Sequence, residues 1–158
     1  MKNILECAKL YEKLLNKDYV FTIENGFKFK LYFASDNFYH LLGLEKLTDI
    51  AQLHREKPNR IFRKILLEKI KVQDIQKSKY YHIIENRIDR FEYIIDLLNF
   101  DSSNKIIVDF DVNKLTFNTK LHNTKFVLYK HIENTYVHLT IGKKAILYPE
   151  TFIVENGS

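Results

Sequence analysis

The chain has 158 residues and a mass of 19.0 kDa, with 46% hydrophobic and 28% charged residues, proportions that suit a globular fold and exclude a disordered one. Its single cysteine, Cys7, excludes an intramolecular disulfide or a cysteine-pair metal site and reads as a small core residue. A net charge of +5 permits nucleic-acid binding without establishing it.

The length fits one α+β domain spanning 1–158, and a chain of this size folds without staples. No window reaches the ~18 apolar residues of a membrane span. The first residues also lack the apolar stretch of a signal peptide. The expectation is a cytoplasmic protein with no membrane partner.

In chain order, Ile4, Ala8, Tyr11 and Leu15 fall at helical spacing and predict a first helix over 2–16. Tyr19, Phe21 and Ile23, then Phe27, Phe29, Leu31 and Phe33, alternate on either side of Asn25-Gly26. That pair tolerates the positive φ angles of a tight hairpin turn. The second strand sets Lys28, Lys30 and Tyr32 on one face and its phenylalanines on the other.

Ser35-Asp36 offers an N-cap to the apolar run Phe38–Leu42, and Gly43 suits a helix end. Pro58-Asn59 opens a helix to about Glu68, with Ile61, Ile65 and Leu66 inward and Arg60, Arg63 and Lys64 outward; Val72–Gln76 suits a short helix. Ile84, Ile88, Phe91, Ile95 and Leu98 form one stripe and predict a single long helix from Tyr80 to Phe100. From Lys105 the period changes to two. Strands at 106–110, 125–132, 135–141 and 146–154, with turns at Glu133-Asn134 and Gly142-Lys143-Lys144, predict an antiparallel meander. The fold expected is α+β, an N-terminal hairpin and helices followed by a C-terminal antiparallel β-sheet.

Charge is unevenly spread. Between Arg55 and Lys79 nine basic residues face three acidic ones, more than the excess of the whole chain. The ordinary reading is a solvated helix face; the functional one has Arg60, Arg63 and Lys64 tracking a phosphate backbone.

The six histidines are scattered with no H-x-x-x-H or H-E-x-x-H, so no metal or other cofactor is expected. Four isolated glycines build no phosphate-cradling loop, and no G-x-S-x-G elbow occurs. Metal-independent acid/base chemistry or binding alone remains. RNA cleavage of that kind needs a base for the 2′-OH, an acid for the leaving oxygen and a cation for the charged phosphorane.

His40 lies in an apolar run, six residues before Lys46 and nine before Asp49. Spacing alone allows a half-buried histidine bonded to a backbone carbonyl, with Asp49 capping a turn, or an acid/base histidine. His138 shares a predicted strand face with Tyr136 and Thr140, and this face is either simply solvated or a nucleic-acid contact.

The run Phe38-Tyr39-His40-Leu41-Leu42-Gly43-Leu44-Glu45-Lys46-Leu47-Thr48-Asp49-Ile50 resembles the F-x-H-L-x-G-L-x-K-L-x-D-I signature of the fourth class of phage barnase–EndoU–colicin–RelE-like nuclease domains. The opening C-A-K-L-Y-E-K-L-L helix, the F-K-F-K-L-Y-F strand, the basic helix and the closing Pro149–Glu155 segment extend the likeness over most of the chain. The resemblance implies a helical N-terminal portion packed on a curved antiparallel sheet, and metal-independent RNA cleavage in a phage or mobile-element setting. The first reading is then a small ribonuclease acting as a toxin or phage effector on RNA such as tRNA. The resemblance also implies His40 as general acid/base, Lys46 as the stabiliser of phosphate charge, Thr151 as a phosphate contact, and Asp49 as an orienting or reacting group.

Lys28, Lys30, Arg60, Arg63, Lys64 and His138 are the nucleic-acid contacts that join this reading. Where the family often has a second histidine, this chain has Glu45, either a base or a mark of lost activity. The alternative is therefore an inactive relative that binds RNA or a host ribonucleoprotein and blocks a defence system. A protein inhibitor or host target is the partner expected beside RNA. A third reading is a plain interaction domain.

Overall fold

The computed structural model describes residues 3–22, 28–99, 105–108, 124–143 and 146–156. The described residues gather into two compact units, one drawn from Met1–Lys17 and Phe33–Glu92, the other from Asp18–Tyr32 and Tyr93–Ser158. The architecture is α+β.

The first unit is helical. Helix α1, Ile4–Glu12, is capped by Asn3, whose side-chain oxygen accepts from the Glu6 N–H at 2.9 Å. The chain then builds α2 (Phe38–Leu41), a 3₁₀ turn (Leu44–Lys46), α3 (Gln52–Arg55), α4 (Pro58–Leu66), α5 (Val72–Gln76) and α6 (Tyr81–Asp89). Proline at the start of α4 gives up no helical hydrogen bond and presets its φ angle.

An aromatic core holds these short helices together. Tyr11, Phe33, Phe38 and Phe91 are fully buried, and Tyr11 and Phe38 both meet Phe62, with ring centroids 5.5 and 5.0 Å apart. The Tyr11 hydroxyl donates to the Ala34 carbonyl at 2.6 Å, so its one polar atom is satisfied inside the core. Cys7 is buried with its sulfur 3.5 Å from the Ile88 carbonyl, a core residue as expected.

Three local expectations are corrected. Ser35-Asp36 does not cap α2: Asn37 stands at the cap without a side-chain bond to the helix, and its Oδ1 accepts from the Ala34 N–H instead. In α4 the residue buried beside Ile61 and Ile65 is Phe62, while Leu66 is half-buried. The long helix breaks at Arg90–Glu92 into α6 and α7 (Tyr93–Leu98). The turn resets the helical phase, so that Ile94, Leu97 and Leu98 are buried and Ile95 is only half-buried.

The second unit is mainly sheet. Strands β1 (Asp18–Thr22) and β2 (Lys28–Tyr32) pair antiparallel; the predicted Asn25-Gly26 turn lies outside the described residues. Strands β3 (Lys105–Val108), β4 (Thr124–Ile132), β5 (Thr135–Lys143) and β6 (Leu147–Asn156) form an antiparallel sheet in sequence order. Glu133 has a positive φ of 54° in the two-residue link between β4 and β5, as a tight hairpin requires. Leu128, Leu139 and Phe152 share a register line and are fully buried. Helix α7 packs on β4 and β5, while β2 packs on β6; Phe29 stacks on Phe126 with ring centroids 4.3 Å apart.

Candidate functional site

The central run folds into a tight corner. Helix α2 ends at Leu41, and Gly43 takes a left-handed φ of +72° that lets the chain turn at once into the 3₁₀ turn. Because the turn is short, His40 and Glu45 face each other across it, with Nδ1 and Oε2 3.7 Å apart. His40 is not the half-buried histidine that spacing allowed: its side chain is 58% exposed, against 28% for Glu45.

Glu45 Oε2 is buried and makes no hydrogen bond. Burial alone would raise the Glu45 carboxyl, but the pairing with His40, the Glu45 backbone N–H and the charge of Arg87 carry it below the usual glutamate range.

Sequence reasoning missed Arg87. It reaches from α6 to the same corner, where Nη1 donates to the Leu41 carbonyl at 3.5 Å. Its guanidinium fills the space beside Gly43, since a Cβ there would stand 2.8 Å from Nη1. Burial draws the guanidinium pKa down while Glu45 opposes that shift. Only the isolated glycine in the run hinted that something must approach the backbone closely here.

Lys46 follows Glu45 in the 3₁₀ turn and is half-buried. Asp49 turns elsewhere: its carboxylate accepts from Ser78 Oγ at 2.5 Å and from the Lys79 N–H at 3.0 Å. The Ser78 bond, with lesser help from Lys79, holds its pKa below the usual aspartate range. Asp49 thus ties the central run to the turn that leads into α6. The neighbouring corner is fixed by Tyr39, whose hydroxyl donates to the Leu53 carbonyl at 2.9 Å.

Of the basic residues on α4, Arg60 and Arg63 are exposed, whereas Lys64 is half-buried and joined to Glu56. In the second unit Lys28 and Lys30 occupy the exposed face of β2 while Phe29 and Leu31 are buried. His138 is half-buried beside Tyr129, its register partner, with ring centroids 5.8 Å apart. Its Nδ1 is buried without a hydrogen-bond partner, and burial lowers its pKa against the opposing charge of Glu155.

Thr151 pairs with Thr140 across β5 and β6. The next register pair is Ile141 with Pro149, which leaves Glu150 as the extra residue of a β-bulge. Thr140 Oγ1 donates to Glu150 Oε1 at 3.2 Å and lies 3.4 Å from the Thr151 carbonyl, so Thr140 is buried rather than solvated. Glu150 and Tyr148 lie over Gly142, where a Cβ would come within 2.9 and 2.7 Å of their side-chain oxygens.

Among the described residues, no three His, Cys, Asp or Glu side chains gather as a metal-binding group, and no helix is long and apolar enough to cross a membrane.

The described residues thus define an α+β protein whose helical unit presents an exposed histidine beside a carboxylate. The model of the phage-Barnase-EndoU-ColicinE5/D-RelE like nuclease4 family matches residues 3–157, and the chain belongs to that family. Neither the curated proteins nor the solved structures contain a match to it.

Proposed function

We propose that the protein is a metal-independent ribonuclease of the cytoplasm that cleaves RNA by 2′-OH attack, with His40 as general acid/base. The observation that carries this reading is the pairing of exposed His40 with the carboxylate of Glu45 in the family's central run. An imidazole open to solvent can meet substrate, and histidine is the side chain that most often gives or takes a proton in acid/base catalysis. Lys46 is assigned the charge of the phosphorane, and Asp49 the orienting role that its bonds to Ser78 and Lys79 support.

Thr151, on the sheet of the second unit, is proposed as a phosphate contact in its own right. Lys28, Lys30, Arg60, Arg63 and His138 are proposed to meet the RNA. Lys64 joins them only after giving up Glu56.

The test is cleavage of total RNA and of a tRNA pool by purified protein in EDTA, beside His40→Ala. Discrete fragments from the wild type and none from the variant are expected. Intact RNA from both across pH 5–8 would sink the enzyme reading and leave a relative that binds RNA or a host ribonucleoprotein to block a defence system. Binding of labelled RNA and capture of a ribonucleoprotein would then be measured instead.

A further inference from the structure

We infer that Glu45 and Arg87 are positioning residues that fix the orientation and tautomer of His40, leaving Nε2 as the nitrogen offered to substrate. This deepens, and rests on, the reading of His40 as the acid/base group.

The first support is distance. In-line attack at a phosphate sets the entering and leaving oxygens on opposite sides of phosphorus. An acid and a base serving one oxygen each must therefore stand well apart. His40 Nδ1 and Glu45 Oε2, at 3.7 Å, are too close to divide that work. They suit a carboxylate facing one ring nitrogen and selecting the tautomer with hydrogen on it. Such pairings run long in unliganded proteins and tighten when substrate binds.

The second support is the state of Glu45 Oε2, buried and without a hydrogen bond. Native proteins rarely leave a buried carboxylate oxygen unpaired. A hydrogen on Nδ1 directed at Oε2 would satisfy it. The third support is Arg87, whose guanidinium lies in the space that Gly43 leaves open and bonds the Leu41 carbonyl at the end of α2. From there its charge adds to the larger effects of His40 and the Glu45 backbone N–H in lowering the Glu45 pKa.

The proton balance follows. As acid, His40 Nε2–H gives its proton to the leaving 5′ oxygen while the P–O bond breaks, and the ring keeps Nδ1–H. As base, Nε2 takes the 2′-OH proton while the new O–P bond forms, again with Nδ1–H retained. In both roles Glu45 stays a carboxylate and passes no proton.

Long-range ¹H–¹⁵N NMR of the ¹⁵N-labelled full chain tests this. Neutral His40 is expected with its hydrogen on Nδ1 in the wild type and on Nε2 in Glu45→Ala. Arg87→Met should weaken the Nδ1–H preference and Arg87→Lys should restore part of it. Wild-type His40 found with its hydrogen on Nε2, or a tautomer unchanged in Glu45→Ala, overturns the inference.

In cleavage assays Glu45→Ala should lose kcat on the order of 10²-fold or more with KM little changed. An Nδ1–H tautomer in a wild type that leaves RNA intact would uphold the positioning and remove the nuclease reading alone.

Discussion

Gly43 and Arg87 occupy one another's margin: the backbone of the first has a left-handed φ of +72°, and the guanidinium of the second lies 2.8 Å from where a Cβ would be. Two penalties therefore meet in Gly43→Ala, a disfavoured backbone conformation and displacement of Arg87. We expect a loss of about 2 kcal/mol in urea unfolding, the backbone contributing roughly 1–2 kcal/mol of it. Because the displaced group supports Glu45, Gly43→Ala should also reduce RNA cleavage.

Phe38 is fully buried among Tyr11, Phe62 and Phe91. Truncation to alanine leaves a cavity between helices too short to collapse into it. Phe38→Ala should cost roughly 3–5 kcal/mol, read as a lowered midpoint in chemical denaturation.

Burial lowers the pKa of His138 in the folded protein. The sign follows: the unfolded chain binds the proton more readily, so this contribution is whole above the unfolded pKa of about 6.5 and is lost as pH falls toward the lower folded value. Stability measured from pH 8 down to 5 should decline in part through His138. His138→Gln should flatten that portion of the curve, and an unchanged slope would remove His138 from it.

Asp49 titrates with the same direction of effect, since its folded pKa is lowered mainly by Ser78. The stability it supplies is present above the unfolded aspartate value of about 3.9 and is lost as pH falls to the lower folded one. Asp49→Asn should lower Tm at pH 7 and lose that acid-side dependence; Ser78→Ala should reproduce part of both effects in thermal scans.

The chain passes between its two units at Lys17–Asp18, at Tyr32–Phe33 and at Glu92–Tyr93. We expect this threefold crossing to make the whole unfold as one domain. Phe38→Ala in the helical unit and Phe152→Ala in the sheet should then lower a single shared transition, followed by far- and near-ultraviolet circular dichroism. Separate transitions would show two domains.

Strand order and the β4–β5 turn were legible because alternation and short polar links carry strong local signals. The start of α4 was legible for the same kind of reason, a proline where a helix gains from one. The break after α6 was not, for no glycine or proline marks Asp89-Arg90-Phe91-Glu92-Tyr93, and Phe91 fits the stripe on either side. Periodicity ran on through Ile95 while the folded chain had already changed phase to Ile94 and Leu97.

His40 stood out as a polar residue among apolar neighbours. Arg87 did not, because a lone arginine on a helix is ordinary and its partner lies forty-two residues earlier, at Glu45. Nor could spacing show that Asp49 is engaged by Ser78, or that Glu150 is the extra residue of a bulge.

Phe29 stacks on Phe126, nearly a hundred residues further along the chain. A ribosome adding roughly 5–20 residues per second needs about 5–20 s to cover that stretch. The β1–β2 ribbon, where Phe21 stacks on Phe29, therefore leaves the exit tunnel long before Phe126 exists to cover it. A two-stranded ribbon alone is marginal in water. The aromatic face of the ribbon thus waits for its cover through that interval, which is when a chaperone would hold the newborn chain.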